Sequence, residues 1–246
     1  MLGVMPHHVQ TMRHSSPFGT VALQAYLSEI RDLASSVLYR LRQLDAASGR
    51  WEAARADADS ALGVRAREYR REEHADALSR LTSEHREVFD ELEALLAAWA
   101  RLSLLLNPQK GKGEAGVFAL ARGHVLRAVL AVSEQSPLLD RDLRNSWMHF
   151  DERLDTVIRS TGRWGNRHRF IHSSDHASDQ GSSIRLIEVD TLRVTYPDEK
   201  GDRKTAKLRD LEPVLLGLVN ELTNASERFR MLFPDAHDAD GDFDAA

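Results

Sequence analysis

The sequence predicts a mainly α protein: an antiparallel helical bundle with a small hairpin of short antiparallel strands before its last helix. Three observations support that expectation. Apolar residues recur at spacings of three and four through residues 21–44, 78–106 and 139–158, the period of a helix with one buried face. The longest stripe ends at Asn107-Pro108, where a helix is expected to stop. Two short alternating runs, 184–189 and 192–196, precede a Pro-Asp-Glu-Lys-Gly-Asp turn and a possible partner strand over 203–208.

Composition narrows the function classes. The chain has 246 residues, enough for a substantial core. Its 33 basic and 38 acidic residues leave a net charge of −5, so any RNA binding must come from a local patch rather than a global basic field. There is no cysteine, which excludes disulfides, thiolate nucleophiles and Cys-based zinc sites. No window approaches the roughly 20 consecutive apolar residues of a membrane span, so no membrane partner and a cytoplasmic location are expected. Residues 1–18 read as a disordered leader or an over-extended start, because Met5 and Met12 also offer initiation points. A single helical domain is expected over 19–234, with a β insertion at about 184–208. The tail, 235–246, is acidic and low in hydrophobics, hence expected to be disordered.

In order along the chain, Tyr26, Ile30, Leu33, Val37, Leu41 and Leu44 form a first helix with an expected break at Ser48-Gly49. Residues 51–63 are rich in Ala and charge and read as a short helix or a connector. Leu78, Leu81, Val88, Leu92, Leu95, Trp99, Leu102 and Leu106 make the longest stripe, which wants another helix along it. His85, on that stripe, reads as a core-edge residue. The Gly-rich basic segment 109–116 lacks the spacing and hydroxyl of a P-loop and reads as a flexible connection; its sharper reading is that Lys110 and Lys112 touch an RNA backbone. A helix over 117–133 follows. Beyond Ile158 the composition turns to Gly, Ser, Asp and His. On a helix, His168, His172 and His176 would align and invite a divalent metal, but the flanking Ser-Ser-Asp and Asp-Gln-Gly-Ser-Ser runs are loop chemistry, so a polar loop without a metal is expected. The last helix starts near Asp210, with Pro213 in its first turn and Leu211, Leu215, Leu218, Leu222, Ala225, Phe229 and Leu232 on its apolar face.

The stretch 136–158 organises the rest. Ser136 caps and Pro137 opens a helix whose buried stripe is Leu139, Leu143, Trp147, Phe150, Leu154 and Ile158. At about 100° per residue, Asn145, His149 and Glu152 fall on the opposite side, and Arg144 lies on another flank. This polar set is either a solvated surface or a site completed by something else.

Here a resemblance enters. Arg144-Asn145-Ser146-Trp147-Met148-His149 resembles the signature of HEPN domains, helical domains many of which are RNases. The following Phe150-Asp151-Glu152-Arg153-Leu154-Asp155 is similar to a run in an uncharacterised bacterial subgroup, in which the residue before the His is often acidic rather than Met148. A weaker similarity extends to Leu104-Leu105-Leu106-Asn107-Pro108 and to Leu192-Arg193-Val194-Thr195-Tyr196-Pro197. The resemblance implies a HEPN-like bundle and a cofactor-free, metal-independent endoribonuclease of toxin or defence type, with RNA as substrate and an antitoxin as a possible partner. Within it, His149 would transfer protons, Arg144 would stabilise the phosphate, Asn145 would orient either, and Glu152, Asp151 and Arg153 would support them. The alternative is a catalytically silent helical module that binds RNA, a nucleotide or a protein. Arg144 and His149 are separated by a helix rise of roughly 7–8 Å and leave the axis on different flanks. A homodimer is therefore expected, with the site straddling its two-fold axis.

Overall fold

A computed structural model describes residues 16–63, 71–161, 166–173 and 183–236. It is mainly helical, with a small four-stranded mixed sheet: α1 (Thr20–Gly63), α2 (Arg71–Leu106), α3 (Gly113–Val129), α4 (Asp142–Met148), α5 (Phe150–Thr161), β1 (Asn166–Ile171), β2 (Ser183–Glu188), β3 (Arg193–Pro197), β4 (Arg203–Lys207) and α6 (Leu211–Leu232). No described helix is long and apolar enough to cross a membrane. The chain separates into two compact units, Met1–Ser35 with Trp99–Asp140 and Pro213–Ala246, and Ser36–Ala98 with Arg141–Glu212.

The first unit is helical. Leu23, Leu27 and Ile30 of α1, Leu102 and Leu106 of α2, Leu126 and Val129 of α3, and Leu215, Leu222 and Phe229 of α6 are all buried, as their three-and-four spacing predicts. Phe18 stacks on Phe229 at 6.0 Å. The Gly-rich segment, expected to be a flexible connection, is closely packed at its glycines. A Cβ on Gly116 would stand 2.3 Å from the Gly111 carbonyl oxygen, and one on Gly123 would stand 2.4 Å from Pro108 Cδ. These glycines allow backbone to lie on backbone, and Gly113, at φ 71°, starts α3.

In the second unit the remainder of α1 runs antiparallel to α2. The ion pairs show it, since Arg40 reaches Glu91, Arg50 reaches Glu84 and Glu87, and Arg80 reaches Asp57. Two expectations fail here. α1 continues through Ser48-Gly49, because Ala47, Trp51, Ala54 and Ala58 keep a buried face beyond it and outweigh one glycine. The sheet begins earlier than residue 184. Residues 166–171, read as loop, form β1, which runs parallel to β2, while β2–β3 and β3–β4 are antiparallel. Every residue of β2 is buried, as befits a strand with neighbours on both edges. Phe170 of β1 receives Trp51 edge-on at 5.8 Å and His85 at 4.2 Å, and partial desolvation lowers the pKa of His85, whose other side is exposed.

Candidate functional site

Ser136 does accept a hydrogen bond from the Leu138 amide, and Pro137 follows it, but they open a single 3-10 turn rather than a long helix. The expected helix over 136–158 is three pieces: that turn, α4 and α5. Leu139, Leu143 and Trp147 are buried, whereas Phe150, Leu154 and Ile158 are only half-buried, because the apolar stripe changes direction at the break between α4 and α5. The break is His149 itself, at φ −106° and ψ 45°.

A residue far along the chain supplies the reason. Arg185 of β2 is 2% exposed and donates from Nη2 to the Ser146 and Trp147 carbonyls at 2.8 and 2.9 Å. A continuous helix would offer those carbonyls to the amides of Phe150 and Asp151. The guanidinium lies between the rings of Trp147 and Phe150, 4.0 and 4.1 Å from their centroids. Burial pushes Arg185 down to about 9, with the Glu93 carboxylate acting against that shift. Glu93 also accepts from Trp147 Nε1 at 3.1 Å, so Trp147 is anchored to α2. The sequence offered no sign of Arg185, since an arginine in an alternating strand reads as a solvent-facing residue.

The segment so held presents the signature residues as follows. The His149 side chain is 52% exposed and turns Nδ1 toward Glu152 Oε1 at 3.6 Å. Arg144 is half-buried and donates from Nη1 to Asn145 Oδ1 at 3.2 Å. Asp151 is exposed, as is Met148. Asn145 lines a polar cavity of about 320 Å³ together with Asp142 of α4, Arg153 of α5, Lys204 of β4, and Asp198, Glu199 and Lys200 of the turn between β3 and β4. Arg153 is the deepest cation of the cavity, 11% exposed, with its Nε buried and without a hydrogen-bond acceptor among the described residues and its Nη2 3.8 Å from Glu199. Lys204 pairs with Asp142 at 2.6 Å and approaches Asp198 at 3.9 Å. The cavity thus joins two expected residues, Asn145 and Arg153, with five that were read only as turn, strand or helix surface. Arg144, His149, Asp151 and Glu152 do not line it.

Asp198 organises the turn. Its Oδ1 accepts from the Lys200 and Asp202 amides at 2.8 and 3.0 Å, and Gly201 adopts φ 86°. The Lys200 amide, joined by the Asp202 amide and the Lys204 and Lys200 ammonium groups, holds its carboxyl below the usual carboxylate range against a smaller desolvation. Lys110 and Lys112 are exposed in the first unit. Of the three spaced histidines, His168 falls in β1, His172 follows that strand beside Asp190 and Glu52, and His176 lies outside the described residues, as do 1–15 of the expected leader and 237–246 of the expected tail. No protein-family model, curated protein or solved structure matches this chain.

Proposed function

We propose that this chain is a metal-independent endoribonuclease of the HEPN type, with His149 and Arg144 as its catalytic residues and a homodimer as its working unit. The observation that supports it is the break at His149. A buried, desolvated arginine holds α4 and α5 apart at this one residue, leaving its imidazole exposed one turn after Asn145. Ionisable groups perturbed by burial cluster at functional sites.

In this reading Glu152 fixes the imidazole through Nδ1, and Nε2 takes the proton of a ribose 2′-hydroxyl. The 2′-oxygen attacks the adjacent phosphorus, the P–O5′ bond breaks, and the products end in a 2′,3′-cyclic phosphate and a 5′-hydroxyl. Arg144, steadied by Asn145, stabilises the charge gathering on the phosphate oxygens. The leaving oxygen needs a second proton-transferring group, which a two-fold related His149 supplies, and the exposed Met148 beside it gives that contact an apolar element. Lys110 and Lys112 are candidate contacts to the RNA backbone.

The test is cleavage of total RNA in EDTA. Wild type leaves cyclic phosphate ends, and His149→Ala loses at least about a hundredfold in rate with an unchanged circular dichroism spectrum. Mixed Arg144→Ala and His149→Ala chains recover part of the activity when Arg and His come from different copies. One observation favours a second reading, a binding module: the polar cavity gathers Asn145, Arg153, Lys200 and Lys204 apart from His149, so a polar ligand would be bound there away from the imidazole. Undiminished RNA binding by wild type and His149→Ala, with cleavage by neither, would select it.

A further inference from the structure

The geometry points to a binding site for a zinc-like divalent ion formed by Glu52 Oε1, His172 Nε2 and Asp190 Oδ2. These three atoms lie within 4.8 Å of one another, from α1, the residue after β1, and the connection between β2 and β3. His172 Nε2 stands 3.5 Å from Asp190 Oδ2 and 4.0 Å from Glu52 Oε1. In a tetrahedral zinc site with bonds near 2.0–2.2 Å, ligand atoms stand roughly 3.3–3.5 Å apart, so the His172–Asp190 pair already fits and Glu52 must close in by about 0.5–1.5 Å, within reach of a side-chain adjustment.

Two features beyond proximity favour an ion. The Glu52 side chain is 37% exposed, but its Oε1 is itself buried and, among the described residues, accepts no hydrogen bond, although it faces the imidazole. A carboxylate oxygen withdrawn from water without a donor is unfavourable, and a cation satisfies it. Asp190 is also held as a metal ligand usually is: Ser173 donates its amide to Oδ1 at 2.9 Å and its hydroxyl to Oδ2, fixing the carboxylate plane. One imidazole and two carboxylates suit zinc or a neighbouring transition metal better than magnesium or calcium, which take oxygen ligands. Three protein ligands leave a fourth position for water on the exposed side of His172. The ion would tie helix to sheet within the second unit, apart from the His149 segment, so RNA cleavage stays metal-independent.

The experiment is a calorimetric and thermal titration of EDTA-dialysed full-length protein with zinc chloride alone. Wild type should bind one equivalent through this site, with Tm rising about 5–10 °C at a hundredfold excess over Kd. His172→Ala should lose at least about a hundredfold in affinity, and Ser173→Ala, which removes only the supporting hydroxyl, about tenfold. His124→Ala, an exposed histidine of α3, should bind as wild type does. No bound zinc and no Tm rise in wild type would overturn the assignment. So would binding that survives His172→Ala undiminished, which would place the ion on other histidines. Neither result bears on the RNase reading, because the titration contains no RNA.

Discussion

Helices α2 and α4 both end beneath arginine side chains, and they differ in what makes them end. In the first unit Arg122 donates to the Leu104 carbonyl at 3.3 Å and Arg127 to that of Leu106, closing the C-terminus of α2. The chain there carries its own stop, Asn107-Pro108, and Arg127 keeps a carboxylate partner in Glu134 at 3.1 Å. In the second unit Arg185 closes α4, where no glycine or proline occurs from Asp140 to Thr161. Its charge is buried between two rings. The pair Arg122 and Arg127 seals an ending already written locally; the single Arg185 imposes an ending the local sequence does not contain.

The sharpest way to break this comparison is Arg185→Ala. Two hydrogen bonds from a charged donor are lost and a space opens between Trp147 and Phe150, while relief of guanidinium desolvation offsets part of the loss. A net destabilisation of about 3 kcal/mol is expected in urea unfolding. Arg185→Met, which refills the space without the donors, should recover about 1 kcal/mol of that. Both variants should gain helicity across residues 148–151, read as amide hydrogen-exchange protection of Phe150 and Asp151, and both should lose cleavage if the His149 proposal holds. Wild-type melting by Arg185→Ala would mean that the break is intrinsic to the local sequence.

Next in size is Gly116→Ala in the first unit. The added Cβ meets main chain at 2.3 Å, not a side chain that can swing away, so the segment 111–116 must shift. About 2 kcal/mol is expected, the range of overpacking. Gly49→Ala is the control in the second unit: nothing lies within 4 Å of its new Cβ, and it sits mid-helix, so a gain of roughly 0.5–1 kcal/mol is expected. Equal melting of the two variants would remove the steric account of the Gly-rich segment.

How much could be read from the sequence follows the same line. The stripes of α2 from Val88 and of α6 up to Phe229, the stop at Asn107-Pro108, the Ser136 cap and strands β2 to β4 are legible because each is fixed by neighbours within a turn or two, whereas Leu78 and Leu232 at the stripes' outer ends are exposed. What stayed hidden depends on distant partners. β1 looks like loop because its strand state comes from pairing with β2, and the split of α4 from α5 depends on Arg185. In the candidate site, Arg144, Asn145 and His149 carry a local pattern. Lys204 and Asp142 do not, since they meet only when β4 is in place. The Asp190 and Glu52 partners of His172 were hidden for that reason too, although the histidine spacing itself was visible and was read as loop.

Arg127→Ala is a milder test of the first unit. It removes one donor to the Leu106 carbonyl and one exposed-side pair with Glu134, while Arg122 and the proline stop remain. A loss of about 1 kcal/mol is expected, well below that of Arg185→Ala, with the end of α2 unmoved by hydrogen exchange. If the two arginine variants cost the same, the distinction between sealing an end and imposing one fails.

The smallest effect belongs to Asp198, where a charge closes a turn rather than a helix. Its folded pKa lies below the ordinary value of 3.8, chiefly through the Lys200 amide, so its contribution is fully present above that value and is lost as pH falls through the lower folded pKa. Asn at this position still offers an oxygen to the Lys200 and Asp202 amides but not the charge. Asp198→Asn should therefore melt slightly below wild type at neutral pH, and the gap should close in acid, where Asp198 itself becomes neutral. It should also narrow at about 1 M salt, because the Lys200 and Lys204 contributions are screened. A gap that persists in acid would mean the substitution acts through the shape of the turn. A gap that widens in acid would reverse the sign of the shift and undo this account of the turn.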